Sequence, residues 1–272
     1  MDRVAQPTDR PKLIDRIVAG KRKELVAKQA HQPLDALRAR IDGQSSAQSL
    51  IAALNEPGPH LIAEVAGASP TRGPYAVQEE PRSLANSFVA AGAVAISVVT
   101  ESRFFGGGIA DLVAARETVS CPVIRRDFIV HPYQVYESRA YGADAIFLLA
   151  SLLTAAQLSE LMEVSASLDM DAVVEAHTEE DLRRAQALRP RLLCLNDWCL
   201  EDFSIQVGTA LLLLPAVRPG TLAVAAGNIN TAEQTGALFA AGAHAILVGA
   251  AMITARDRQA KARELLLPEG VS

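Results

Sequence analysis

Lysine is nearly missing from the interior of this 272-residue chain. Lys12, Lys21, Lys23 and Lys28 lie near the start and Lys261 near the end, with no lysine between Lys28 and Lys261. Chemistry seated in the middle of the sequence must therefore run without an amine of its own. Cysteine is scarce too. Cys121, Cys194 and Cys199 are odd in number and show neither zinc-type pairing nor a C-x-x-C motif. They read as reduced thiols of a cytoplasmic protein, and no metal site is expected. Long apolar runs are absent: the segment from Ala210 to Val217 falls far short of the ~20 residues needed to cross a bilayer. The polar N-terminal stretch carries charges of both signs, unlike a signal peptide, so no membrane partner is expected. Basic charge is not in excess either. The formal net charge of -5 argues against a nucleic-acid partner, because phosphate backbones select basic surfaces. Aromatic residues make up only 4% of a chain that is 50% hydrophobic, so the core must be aliphatic, as in helices packed on a parallel sheet.

What is present is a repeating order of elements. Apolar positions Leu13, Ile14, Ile17, Val18, Leu25 and Val26 fall at helical spacing, with Thr8 and Asp9 as N-cap candidates. Residues 9–41 are therefore predicted to form one or two amphipathic helices. After Pro57 and Pro59, strands are predicted at 61–65, 94–100, 122–128, 145–150, 172–177, 192–196, 222–226 and 245–249. Helices are predicted between them, including 81–91, 131–141, 154–168, 179–188, 203–214, 231–241 and 257–267. Eight such units in about 200 residues match a closed (β/α)8 barrel of the TIM type. A doubly wound open sheet is the alternative, but no G-x-G-x-x-G follows the first strand. The glycines at 106–108 follow the second strand with the wrong spacing. The expected organisation is an N-terminal helical extension over residues 1–58 and a barrel over 59–272.

Polar residues gather where the apolar runs stop. In a barrel, the C-terminal strand ends build the active site. Glu64 ends the first strand, either as a functional carboxylate or as the partner of Arg125 or Arg126. Arg125, Arg126 and Asp127 end the third. Strand alternation forbids both arginines from pointing inward, and an arginine clamps anions better than it gives protons. Its bland role is a salt bridge to Asp127 or Glu101. Glu175 ends the fifth strand among apolar neighbours, which would raise its pKa and suit proton transfer. His177, two residues on, is expected to bond backbone at the next helix. Asn196 ends the sixth strand and can hold a hydroxyl or an oxyanion, or bond loop backbone. Trp198 follows, to stack on an aromatic ligand or to pack on the barrel mouth. Gly227, Asn228, Gly249 and Ala250 end the last two strands, where small residues let backbone N–H groups reach an anion.

Several ordered blocks resemble one family. Ile62-Ala63-Glu64-Val65 with Ala68-Ser69-Pro70-Thr71, Ile96 to Glu101 with Phe104-Phe105-Gly106-Gly107, Pro122 to Val130 and Val174-Glu175-Ala176-His177-Thr178 look like indole-3-glycerol phosphate synthase. The likeness runs from about Leu13 to Met252 and includes the helical leader. It implies a barrel that closes an arylamine-linked sugar phosphate into an indole, losing carbon dioxide and water. It carries over Glu64, Glu175, Asn196, Ser69 and Pro70, the aromatic pocket positions Phe105 and Phe128, and backbone around Gly227 and Gly249. It breaks at the chemistry. The resemblance places lysines at Ala66 and Arg126, an arginine at Trp198, and Glu-Ser-Gly at Ala226-Gly227-Asn228.

Three expectations follow. In the first, a small aromatic amine-derived substrate, phosphorylated where the backbone site is kept, binds between Phe105, Phe128 and Trp198 without a cofactor. Glu175 moves a proton, Glu64 orients it, and Arg126 and Asn196 steady an oxyanion or carboxylate during a cyclisation, dehydration or decarboxylation in specialised metabolism. In the second, the barrel only binds a ligand or a partner enzyme. In the third, the family's reaction in tryptophan biosynthesis survives through an altered site.

Overall fold

The computed structural model describes residues 13–69, 73–75, 79–200 and 202–267. Eight parallel strands close into a barrel: β1 (His60–Val65), β2 (Ala95–Val99), β3 (Val123–Arg126), β4 (Ala145–Leu149), β5 (Asp171–Ala176), β6 (Leu192–Asn196), β7 (Leu222–Ala226) and β8 (Ala245–Val248). Each pairs with the next in the chain, and β8 returns to β1 with Ile62 opposite Leu247. The strands form because both of their faces are buried. Ile62, Ile124, Phe147, Val173, Cys194, Val224 and Leu247 fill the interior. Their chain neighbours, such as Leu61, Ala63, Val123, Val174 and Leu195, pack outward on the helices. This two-residue period decides which side chain at each strand end reaches the barrel axis.

Local chemistry fixes the crossovers. Pro81 and Pro132 occupy first helical turns. Thr154 with Gln157, and Thr231 with Gln234, form capping boxes on the helices Ala155–Ser167 and Ala232–Ala240. Gly142, at φ +89°, ends the helix Pro132–Ala140 in a conformation that favours glycine. The loop after β2 depends on Gly107. A Cβ there would lie 1.9 Å from the Val99 carbonyl oxygen, a backbone atom that cannot step aside. Gly107→Ala is expected to destabilise the fold by about 1–3 kcal/mol, measured as a lower urea midpoint at unchanged slope.

The leader forms α1 (Leu13–His31) and α2 (Leu34–Asp42), as the helical spacing predicts. Its predicted N-cap, Thr8 and Asp9, lies outside the described residues. Leu25 and Leu37 pack with Tyr133 and Ala140, while Ile14 and Ile17 join Phe128, Leu149 and Phe203 at the barrel mouth. A short helix not foreseen in the sequence, α3 (Leu50–Leu54), buries Leu50, Ile51 and Leu54 against the interior strand residues. Ser49 caps it, and Asp171 takes the Ile51 N–H at 3.0 Å.

The helix predicted at 203–214 is a correction. Only Thr209–Leu213 is α-helical. Phe203 (φ +57°) and Gly208 (φ +92°) are left-handed, and Trp198 pairs with Ile205 in an antiparallel bridge. Asp197 accepts the N–H groups of Gly208 and Ala210, at 3.1 and 2.8 Å, so this loop is pinned before the helix begins. No helix among the described residues is long and apolar enough to cross a membrane.

Candidate active site

Alternation along β3 sends Arg125 outward and Arg126 inward. Arg125 is buried beneath the helix Pro132–Ala140, with Nη2 2.9 Å from Asp127 Oδ2 and Nη1 2.8 Å from Glu137 Oε2. It is a structural ion pair. Arg126 crosses the mouth of the barrel. Its Nε lies 3.3 Å from Glu64 Oε2, its Nη1 2.8 Å from Glu175 Oε2, and its Nη2 donates to Glu175 Oε1 at 3.1 Å. Its guanidinium sits 4.5 Å over the Phe147 ring. Asn196 donates to Glu175 Oε1 at 3.1 Å, and Ser97 to Glu64 Oε2 at 3.2 Å. One cation therefore ties together two carboxylates from opposite parts of the sequence. Glu101 takes no part in this pairing. Its carboxylate accepts the backbone N–H groups of Arg103, Phe104 and Phe105 and shapes the loop after β2.

His177 continues the inward face of β5, with Nε2 2.8 Å from Glu175 Oε1. The expected bond from its ring to the backbone of the next helix is not made. Its own N–H goes to Asp181, but its ring turns into the site. Among the described residues, the buried side-chain nitrogen and oxygen atoms without an aligned hydrogen bond are Arg126 Nη1, Glu175 Oε2 and both ring nitrogens of His177. Arg126 Nη1 and His177 Nε2 meet Glu175 at ion-pair distance but off the hydrogen-bonding direction. Buried polar groups are ordinarily satisfied. Three of these four atoms belong to Glu175 or to the groups that approach it, and His177 Nδ1 stands apart.

The expected raised pKa at Glu175 does not occur. Burial alone would raise it, but Arg126, His177 and Asn196 outweigh that effect and hold the carboxyl down at about 2. Glu64 moves the other way. Burial is the larger influence and the Glu175 charge adds to it, so its pKa is raised despite Arg126 and Ser97. Glu64 keeps 17% of its side chain open, against 2% for Glu175, which softens the burial effect at Glu64.

Above this polar floor stands an aromatic wall. Phe203 meets Phe105, Phe128 and Trp198 edge-on, with ring centroids 5.9, 6.5 and 6.1 Å apart. The cavity holds about 110 Å³ of water-accessible space, below the roughly 300–1,000 Å³ of ordinary ligand pockets. That is less room than a full-sized ligand takes. Ser69, Gly227, Asn228, Gly249 and Ala250 line the same cavity, while Pro70 lies outside the described residues. Gly249 lets Glu64 approach, since a Cβ there would sit 3.3 Å from Glu64 Oε1. At Gly227 (φ +128°) a Cβ would strike Asp197 Cβ at 2.6 Å. Among the described residues no lysine lines the cavity. Lys21 of α1 comes to its edge, with Nζ bound to the lining residue Asp127 at Oδ1, 2.9 Å away.

These ordered strand ends coincide with a family match. The model of indole-3-glycerol phosphate synthase matches residues 14–265. The chain belongs to the indole-3-glycerol phosphate synthase family. It is 37% identical over 254 residues to the indole-3-glycerol phosphate synthase of Mycolicibacterium smegmatis, covering 93% of each chain. It is also 37% identical to that of Streptomyces griseus, covering 93% of this chain and 94% of the relative. Solved structures share the fold alone. A 3-hexulose-6-phosphate synthase superposes with a TM-score of 0.60 at 16% identity, covering 77% of this chain and 98% of its own. A thiamine phosphate pyrophosphorylase from Pyrococcus furiosus gives 0.56 at 16% identity, over 80% and 96%.

Within this family frame, sequence reasoning brought together Glu64, Arg126, Glu175 and Asn196. It missed Phe203 and Ser97 and the inward turn of the His177 ring. Ser97 and His177 carried a usable signal, the two-residue period of β2 and β5. Phe203 carried none, because its place depends on a left-handed loop residue.

Proposed function

We propose that this member of the family is a lyase of the decarboxylating cyclase or dehydratase type, acting on an aromatic amine-derived substrate in a reaction other than the family's own. The observation that carries this reading is the convergence of unaligned buried polar atoms on Glu175, beneath an aromatic wall. A ligand that satisfied those atoms would recover their desolvation cost. In this reading Glu175 is a fixed anion and Glu64 carries the proton, the reverse of the roles expected from sequence. Arg126 and Asn196 hold developing negative charge, Phe105, Phe128 and Trp198 hold the ring, and the backbone at Gly227 and Gly249 faces any phosphate. The proton donor that the family resemblance calls for is replaced by an arginine already held by two carboxylates, and arginine gives up its proton too reluctantly to serve. Work in specialised metabolism would accord with such a change.

A second reading, ring closure to indole-3-glycerol phosphate itself, is favoured by the 37% identity across 93% of both chains. One assay separates the two. Carboxyphenylamino deoxyribulose phosphate is incubated with enzyme, and indole formation is followed by fluorescence beside a thermal-shift screen of arylamines and sugar phosphates. The first reading expects stabilisation by aromatic ligands with slow or no ring closure. Rapid ring closure by the wild type would establish the second, and stabilisation with no turnover of any arylamine derivative would leave a binding protein. Under the first reading Arg126→Lys is expected to raise ring closure about tenfold or more, part of the ~10²–10⁴ that a proton donor supplies.

A further inference from the structure

The proton chemistry above needs a group that gives a proton as well as one that takes it. Arg126 is committed to Glu64 and Glu175. His177 lies two residues beyond Glu175, so the period of β5 sets its side chain on the same inward side. That side chain is 4% exposed and lines the cavity. Nε2 rests 2.8 Å from Glu175 Oε1, and Nδ1 is buried with no partner among the described residues. A purely structural role explains neither fact. The helix after β5 uses the backbone N–H of His177, not its ring, and an aliphatic side chain would fill the space without stranding a polar atom.

We propose that His177 is the catalytic acid of this site, held on Glu175 through Nε2 and giving its Nδ1 proton to the oxygen that leaves the ligand. This rests on the lyase reading above. It also narrows the substrate to an aromatic ring bearing a hydroxylated arm. Imidazole gives and takes protons near neutral pH, which the guanidinium of Arg126 does not. In the step, the Nδ1–H bond breaks and its proton goes to the hydroxyl oxygen. The C–O bond breaks with its electron pair on oxygen, and water leaves. The adjacent C–H bond supplies electrons for the new double bond, and its proton goes to the Glu64 carboxylate. Both groups then reset by proton exchange through the cavity.

The charges around the ring suit this role. Glu175 faces it from β5, while Arg126 on β3, Glu64 on β1 and Asn196 on β6 share the cavity. Asp181 is engaged by the His177 backbone, and Asp127 by Lys21 and Arg125. Two carboxylates against one fixed cation leave a single negative charge to balance. One proton within the cavity balances it.

The test is ¹⁵N NMR of the histidine-labelled protein, with indole-3-glycerol phosphate as probe and thermal shift run in parallel. The Nδ1 resonance of His177 is expected to move on binding while Nε2 stays. His177→Gln, with His177→Asn as a second variant, should keep the melting temperature and lose the group-in-acid limb of the pH–rate profile, with kcat down ~10²–10⁴-fold. If the probe stabilises the protein and Nδ1 is unmoved, or if either variant keeps the profile, His177 is not the acid and the lyase reading stands. If no aromatic ligand stabilises the protein or is turned over, both fall.

Discussion

Arg126→Met is expected to lower the stability of the protein at pH 7 by about 3–5 kcal/mol, the cost of leaving buried charge without its partner. Methionine can keep the contact with Phe147, so the loss isolates the charge. Without the guanidinium, Glu175 retains only Asn196 and His177, and Glu64 only Ser97. The pH dependence identifies the cause. In the wild type the Glu175 carboxyl is held at about 2, below its unfolded value of ~4.3. Its contribution is therefore fully present above the unfolded value and is lost as pH falls through the folded one. In Arg126→Met the largest favourable influence behind that depression is removed, with His177 and Asn196 left, so the two stability curves should approach each other between about pH 4 and pH 2. Urea denaturation across that range measures it. A loss that is constant with pH would assign Arg126 a packing role instead.

Glu64→Gln is expected to reduce turnover of the substrate the wild type converts by about 10²–10⁴-fold, the usual worth of a positioned proton carrier. Stability should respond differently. The folded pKa of Glu64 is raised, so its proton is bound more tightly in the folded state than in the unfolded one. The associated stabilisation is present at low pH and lost as pH rises through the folded value. At pH 7 the glutamine variant should therefore be at least as stable as the wild type. Glu175→Gln should lose stability as well as rate, because it removes the anion that both Arg126 and His177 approach. Steady-state kinetics and thermal melts on the two variants distinguish them. Equal losses of stability in both, or full turnover in Glu64→Gln, would mean that the roles assigned to the carboxylates are wrong.

The barrel was legible because its strands are buried on both faces and its helices carry caps. Proline at the first turn, Thr-x-x-Gln boxes and Gly142 mark boundaries to within a residue or two. The site's carboxylates were legible for the same reason, since Glu64 and Glu175 interrupt apolar runs at strand ends. What the sequence concealed depends on three-dimensional sums. The expected rise at Glu175 is overturned because Arg126 gives it two nitrogens at close range, with His177 and Asn196 beside them, while Glu64 has one Arg126 nitrogen at 3.3 Å. A count of apolar neighbours contains no such information. Lys21 is distant in sequence from every strand end, yet α1 returns it to Asp127 at the mouth. The predicted helix begins too early, at 203 rather than 209, because the positive φ of Phe203 has no residue-type signature, unlike that of Gly208.

The most direct measurement is a crystal structure of the protein soaked with indole-3-glycerol phosphate. The ligand ring is expected between Phe105, Phe128 and Trp198, with Phe203 displaced. A hydroxylated arm should reach Arg126 Nη1, Glu175 Oε2 and His177 Nδ1. Density anywhere other than above Glu175, or an aromatic wall left closed over those atoms at saturating ligand, would contradict the account.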